Sequence, residues 1–292
     1  MEIQKLQKTI LLEEKKRRNK NKGRFQLLLA LSTAMVLISA AIALYHWNFN
    51  RIPQRQFDRG QALLLRGEYS RAYSKFRHLY EHHPQFRSAP QALLLAGEIL
   101  QFNLNQDREA LLAYLLVERD YPGHEVERKA QRRAADIYKY RLGEYDRALT
   151  SYQKLLDGGS DGGEGLQYEI ADTYFRQNNF EQARIEFESL LKNYPQCERI
   201  AEVLFRIASA SALEGALEEA AFVYQRVVEE YPDSPFYPEA LYGLAVVKEE
   251  RGELQAALTL LKELQGSYRE ADVLENRIKQ VRKRIKKKRK AT

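Results

Sequence analysis

Past residue 50, apolar side chains recur every three or four positions and strict alternation is scarce, a pattern that predicts helices and few strands. The segment before it reads differently. From Phe25 to Tyr45 no residue is charged, and 21 residues in a helix span roughly 30 Å, the thickness of a bilayer's hydrocarbon core. His46 and Trp47 follow where amphipathic rings favour the headgroup layer. These features predict a single transmembrane helix over 25–47. The alternative is a cleaved leader with Ala41-Ile42-Ala43 as its processing site; a 24-residue basic lead is long for that, and the uncharged run continues past the site, so retention is expected.

Seven cations crowd residues 15–24, against Arg51, Arg55 and Arg59 on the far side, so the positive-inside bias puts the N-terminus in the cytoplasm and the body across the membrane. The formal charge of +7 divides accordingly. Residues 1–24 carry +6 and residues 276–292 carry +10, which leaves −9 for the body between them. With the basic tail on the far side of the membrane from the genome, no nucleic-acid partner is expected. A single cysteine, Cys197, excludes an intrachain disulfide framework and any paired-cysteine metal site.

The helical pattern repeats with a period of 35–38 residues. Six segments align on Ala72, Ala110, Ala148, Ala183, Ala220 and Ala257. Four residues after each comes Phe76, Tyr114, Tyr152, Phe187, Tyr224 or Leu261; five before it comes Gly67, Asn105, Gly143, Asn178, Gly215 or Gly252. Pro84, Pro122, Pro195 and Pro232 stand twelve after four of them. Gly or Asn closes a helix through positive φ, alanine lets two helices approach, the large side chain fills the wedge, and proline stops the second helix. The unit is a helical hairpin.

These offsets resemble the tetratricopeptide repeat. The forms Gly67-Glu68-Tyr69-Ser70-Arg71-Ala72 and Gly143-Glu144-Tyr145-Asp146-Arg147-Ala148 look like its bacterial cell-envelope branch, which includes the repeat lipoprotein of the β-barrel assembly machinery, the Tol–Pal cell-division coordinator and the ancillary Sec-translocon subunit. The expected fold is all-α: one N-terminal transmembrane helix, then a helical-hairpin solenoid of about six repeats with a C-terminal capping helix. The expected boundaries are a basic cytoplasmic segment 1–24, the membrane helix 25–47, a linker 48–52, repeats one to three over 53–157, a Gly-rich break 158–165 dividing the solenoid, repeats four to six over 166–269, and a basic capping helix and tail 270–292.

The resemblance implies that the first helix of each hairpin lines a concave, partner-binding face. Counting back from the turn residue, one position reads Phe57, Leu95, Arg133, Tyr168, Phe205 and Tyr242; seven residues on it reads Leu64, Phe102, Tyr140, Phe175, Ala212 and Glu249. The expected groove is Phe57, Leu95, Phe102, Arg133, Tyr140, Tyr168, Phe175, Arg176, Phe205 and Tyr242, suited to a peptide with apolar anchors and some acid. The competing reading buries half of these rings between repeats.

No catalytic motif is present, so an enzyme is not expected, nor a cofactor. No metal is expected either. His78 and His82 read as a surface pair, Cys197 as a bystander thiol, and the acids of 157–165 do not reach calcium-loop spacing, because Tyr168 stands where the last carboxylate belongs. In the tail, Leu274, Ile278, Val281 and Ile285 form one stripe that either packs on the sixth repeat or lies on anionic lipid. The function expected is a membrane-anchored scaffold in the inner membrane of a bacterial envelope, its repeats periplasmic, binding other envelope proteins or their peptide segments in assembly or cell division. The alternative is a chaperone-like holding factor for exported chains near the translocon.

Overall fold

The computed structural model describes the backbone of residues 2–159 and 162–291, with side chains at 12, 16, 29, 31–45, 51–159 and 162–290. Every regular element among them is helical. The chain divides into two compact units, Met1–Gln106 and Asp107–Thr292, the boundary falling in the turn that ends the third helix.

The first unit holds α1 (Glu2–Leu65), α2 (Tyr69–His82) and α3 (Ala89–Phe102). Helix α1 runs unbroken through 48–52, where a linker was expected, and through Pro53. Its C-terminal end packs on α2: a Cβ at Gly60 would stand 2.6 Å from the Phe76 ring, so the aromatic of α2 occupies the space that a side chain would need. Among the described residues no helix is long and apolar enough to cross a membrane. Within the segment expected to do so, 25–47, side chains are described only at 29 and 31–45, fewer than the roughly 20 that a span requires. The remaining positions lie outside the described side chains.

The second unit holds α4 (Asp107–Asp120), α5 (Glu127–Ile137), a π-turn (Tyr138–Leu142), α6 (Tyr145–Asp157), α7 (Gly163–Arg176), α8 (Phe180–Asn193), α9 (Ile200–Glu214), α10 (Leu217–Glu230), α11 (Tyr237–Glu250), α12 (Leu254–Glu263) and α13 (Ala271–Ala291). The six signature alanines are fully buried, and Phe76, Tyr114, Tyr152 and Phe187 are buried completely beside them. Each such ring contributes about 1.5–3 kcal/mol. All six turn residues take positive φ, from 53° at Asn105 to 91° at Gly215.

Turn length is not uniform. In the turns at Gly67, Asn178, Gly215 and Gly252 the closing N–H reaches a carbonyl five residues back, as Glu68 does to Leu63 and Asn179 to Tyr174, both at 3.0 Å. In the turns at Asn105 and Gly143 it reaches six back, Gln106 to Leu100 and Glu144 to Tyr138, both at 2.8 Å. One residue is inserted in each. The π-turn absorbs the second insertion inside the helix itself.

Proline occupies the same place in four inter-repeat turns. His83, Tyr121, Tyr194 and Tyr231 each accept, at 3.0–3.2 Å, the N–H of the residue three on, with proline between. Cys197 sits at that third place. Its Sγ accepts the Arg199 N–H at 3.3 Å, as Ser234 Oγ accepts Phe236 N–H at 3.2 Å and His124 Nδ1 accepts Val126 N–H at 3.3 Å. The thiol therefore helps to close the turn that leads into α9, and burial, followed by its bond to Glu164, raises its pKa.

The Gly-rich segment does not divide the solenoid as expected. Arg128 of α5 donates to Leu155 O at 2.9 Å and to Gly158 O at 3.0 Å, capping the end of α6 where the proline is missing. Gly163 and Gly165 lie inside α7, and a Cβ at Gly163 would collide with the Tyr194 hydroxyl. Leu155, Leu166 and Ile170 then continue the core from α6 to α7. Residues 160 and 161 of that segment, including one of its acids, lie outside the described residues.

At the C-terminus, Leu274, Ile278 and Val281 of α13 are buried against Leu241, Ala245 and Leu261, with Ile285 beside them. Glu249 of α11, 5% exposed, accepts from Arg277 Nε at 2.7 Å and from Arg284 Nη1 at 2.5 Å. The helix is a cap on the sixth hairpin, as one of the two readings of the tail expected.

Candidate partner-binding face

The inserted residues change which side chains are equivalent. Counted from the buried small residue of each first helix, namely Gly60, Gly97, Ala135, Ala171, Ala208 and Ala245, the first groove position reads Phe57, Leu94, Arg132, Tyr168, Phe205 and Tyr242. Ring geometry agrees. Phe57 meets Phe76 at 5.7 Å, Tyr168 meets Phe187 at 5.6 Å and Phe205 meets Tyr224 at 6.0 Å, while the Arg132 guanidinium lies 5.3 Å from the Tyr152 ring. Counting from the turn carried Leu95, Phe102, Arg133 and Tyr140 one residue too far. The equivalent positions are Leu94, Gln101, Arg132 and Lys139.

Of the ten expected groove residues, Phe57 and Tyr168 are core, and Leu95 and Arg133 are half-buried. Phe102 is 55% exposed and Tyr140 47% exposed. Tyr242 stacks on Tyr268 at 5.1 Å. Phe57, Leu95 and Phe102 belong to the first unit and the others to the second.

Within the second unit, successive first helices are joined by charge. The Lys139 side chain is fully buried, with Nζ 2.7 Å from Glu169 Oε2, 2.8 Å from Asp172 Oδ2 and 3.1 Å from Glu169 O. The π-turn turns it inward. Tyr140, next in sequence, points outward along the same contact and donates to Glu169 Oε2 at 2.6 Å. Arg132 reaches Glu169 Oε1 and Asp136 Oδ1, both at 3.3 Å, and the Tyr152 hydroxyl donates to Asp136 at 2.7 Å.

Asp172 gathers three cations: Lys139, Arg176 at 2.8 Å and Arg206 at 3.9 Å. Burial alone would raise its pKa, but hydrogen bonds from Lys139 and Arg176 hold it below the ordinary carboxylate value. Asp136 goes the other way, raised by burial against the bonds from Tyr152 and Arg132. Burial, then the bond to Glu169, keeps the Tyr140 hydroxyl protonated.

Rings frame these charges. Arg176 lies 5.0 Å from the Tyr140 ring centre and Arg206 5.6 Å from that of Phe175, while Arg199 covers Tyr168 at 4.1 Å. Arg206 Nε makes no hydrogen bond. Phe205 continues the row toward Phe236 at 5.6 Å. Sequence reasoning named Phe175, Arg176 and Phe205 among these residues, named Tyr140 where the equivalent position is Lys139, and did not name Lys139, Glu169, Asp172 or Arg206. The available signal was the spacing of Glu169, Asp172 and Arg176 along one stripe of α7.

Other candidate chemistry is accounted for by packing. His78 and His82 stack at 4.0 Å, and His78 Nδ1 lies 3.2 Å from Gln56 Oε1. Among the described residues no three metal-ligating side chains cluster.

Models of the tetratricopeptide repeat match residues 129–157, 168–235 and 212–275. Over these residues the chain carries tetratricopeptide repeats. No curated protein matches the sequence. Among solved structures, a tetratricopeptide repeat protein from Parabacteroides merdae is similar at 17% identity, over 79% of this chain and 86% of that one, with a TM-score of 0.58. PilW, described as a type IV pilus biogenesis factor, is similar at 15% identity, over 77% and 99%, with a TM-score of 0.52. YrrB, described as a tetratricopeptide repeat protein with an unusual peptide-binding site, is similar at 19% identity, over 69% and 97%, with a TM-score of 0.51. At these identities the likeness establishes the fold. The matches indicate no enzyme family.

Proposed function

We propose that this chain is a membrane-anchored scaffold whose first-helix face holds peptide segments of protein partners. The observation that carries the reading is the gathering of Arg176 and Arg206 on Asp172, whose other cation, Lys139, is shared with Glu169, beside the rings of Tyr140, Phe175 and Phe205. With Arg132 and the carboxylates of Asp136 and Glu169 included, four cations face three carboxylates, and that single excess positive charge next to half-exposed rings suits a segment with an acid side chain flanked by apolar anchors. YrrB, with its peptide-binding site, and PilW, a biogenesis factor, share the fold and fit a protein-partner reading. The double variant R176A/R206A is expected to lose partner capture while keeping its helical content; unchanged capture overturns the assignment.

The anchor is residues 25–47. It is supported by the uncharged run, by the seven cations before it, and by the exposure of Met35, Val36, Leu37, Ile38, Ile42 and Leu44, apolar side chains on every side of α1. The N-terminus is cytoplasmic and the repeats lie across the membrane. The Gly67–Ala72 and Gly143–Ala148 motifs, similar to those of envelope proteins, favour the inner membrane of a bacterial envelope and partners in envelope assembly or division. A reporter active only in the cytoplasm, fused after Trp47, is expected to be silent; strong activity overturns the topology.

A further inference from the structure

Packing decides which side of α13 is available. Its apolar stripe is covered by α11 and α12, and Arg277 and Arg284 are engaged by Glu249. The helix therefore cannot insert an apolar face into a bilayer. On the opposite side, Lys279, Lys283, Lys286, Lys287 and Lys290 follow the spacing i, i+4, i+7, i+8 and i+11, which places them within an arc of about 100° over a length of about 17 Å. All five are exposed, and Lys279 at the start of the row lies 3.9 Å from Glu275.

We propose that this lysine row is a binding surface for anionic lipid headgroups, held by charge alone and oriented by the solenoid. The proposal rests on the anchor reading, which puts the chain at a bilayer. A straight row of flexible ammonium groups meets a laterally mobile plane of phosphate and carboxylate charges without demanding register. The arc holds no aromatic ring for stacking on bases and no arginine for bidentate base or phosphate contacts, so nucleic acid is the less suited polyanion. The packed stripe makes the binding reversible, because salt that screens the charges leaves nothing apolar to retain the helix.

The test uses the full chain reconstituted into vesicles of phosphatidylcholine, with or without about 30% phosphatidylserine. A donor dye on Gln280→Cys, Cys197 being buried, reports energy transfer to a headgroup-labelled acceptor lipid. Transfer is expected to be at least about twofold higher in the anionic vesicles and to fall to the neutral level in about 0.5 M salt. The variant K279E/K283E/K286E/K287E/K290E, changed only on the exposed face, is expected to show the neutral level in both. Equal transfer of the unmutated lysine row in the two vesicle types overturns the proposal. So does salt-sensitive binding of a duplex oligonucleotide with transfer unaffected by lipid charge. Flotation separates this from the anchor reading: a chain that floats only with anionic vesicles has no anchor but keeps its lysine row, whereas one that floats with both and shows no charge-dependent transfer has the anchor alone.

Discussion

Lys139 Nζ lies 2.7 Å from Glu169 Oε2, a buried ion pair between neighbouring hairpins made at the point where α5 loosens into a π-turn. The inserted residue that produces the turn directs the lysine inward and leaves Tyr140 outward, so one local irregularity sets both the inter-hairpin lock and the exposed ring beside it. Removing the cation leaves Glu169 and Asp172 facing each other with less compensation. Lys139→Met is expected to lower the stability of the second unit by about 3–5 kcal/mol in urea unfolding. A loss below about 1 kcal/mol would show that the pair is not the lock described.

Acid is expected to act through Asp172. Its folded pKa is depressed, so its contribution is present above the unfolded value of about 3.9 and is lost as pH falls through the folded value. Asp172→Asn is therefore less stable than the parent at neutral pH, and the difference closes below about pH 4. Asp136, raised by burial, takes up its proton first and opposes this only partly. Urea titrations of both proteins at several pH values check it; a constant difference would contradict the assignment.

The corrected register has its own test. Leu94 is buried in the first unit and Leu95 only half so. Leu94→Ala is expected to cost about 2–5 kcal/mol and Leu95→Ala less than half as much, read from thermal unfolding. Equal costs would restore the count made from the turn residues.

How much of this was legible in the sequence follows from the same detail. The alanines, rings, turn residues and prolines each satisfy a local steric demand, so their spacing announced the hairpins and the positive φ of all six turns. The register of the first helices was not legible, because an insertion at Asn105 or Gly143 is visible only as a spacing of 38 residues, which does not say where in the repeat the extra residue lies. The burial of Lys139 was not legible either, since it depends on carboxylates some 30 residues away. The part Cys197 plays rests on the turn position it shares with Ser234 and His124.

The cap predicts a local effect. Glu249→Ala removes the acceptor of Arg277 and Arg284, both of which can turn to solvent, so global unfolding is expected to shift by only about 1–3 kcal/mol. Cleavage by limited proteolysis in the turn around Gly266 is expected to rise several-fold, α13 detaching before the hairpins open. Unchanged cleavage would mean that the apolar stripe alone holds the helix.

Partners are expected to bind on the first-helix face. A photo-crosslinker in place of Phe175, on that face, and another in place of Phe222, exposed on the second helix α10, measure it in the native membrane. One or two discrete adducts are expected from position 175, lost in R176A/R206A, and none of them from position 222. The same adducts from both positions, or adducts at 175 that survive loss of the two arginines, would contradict it.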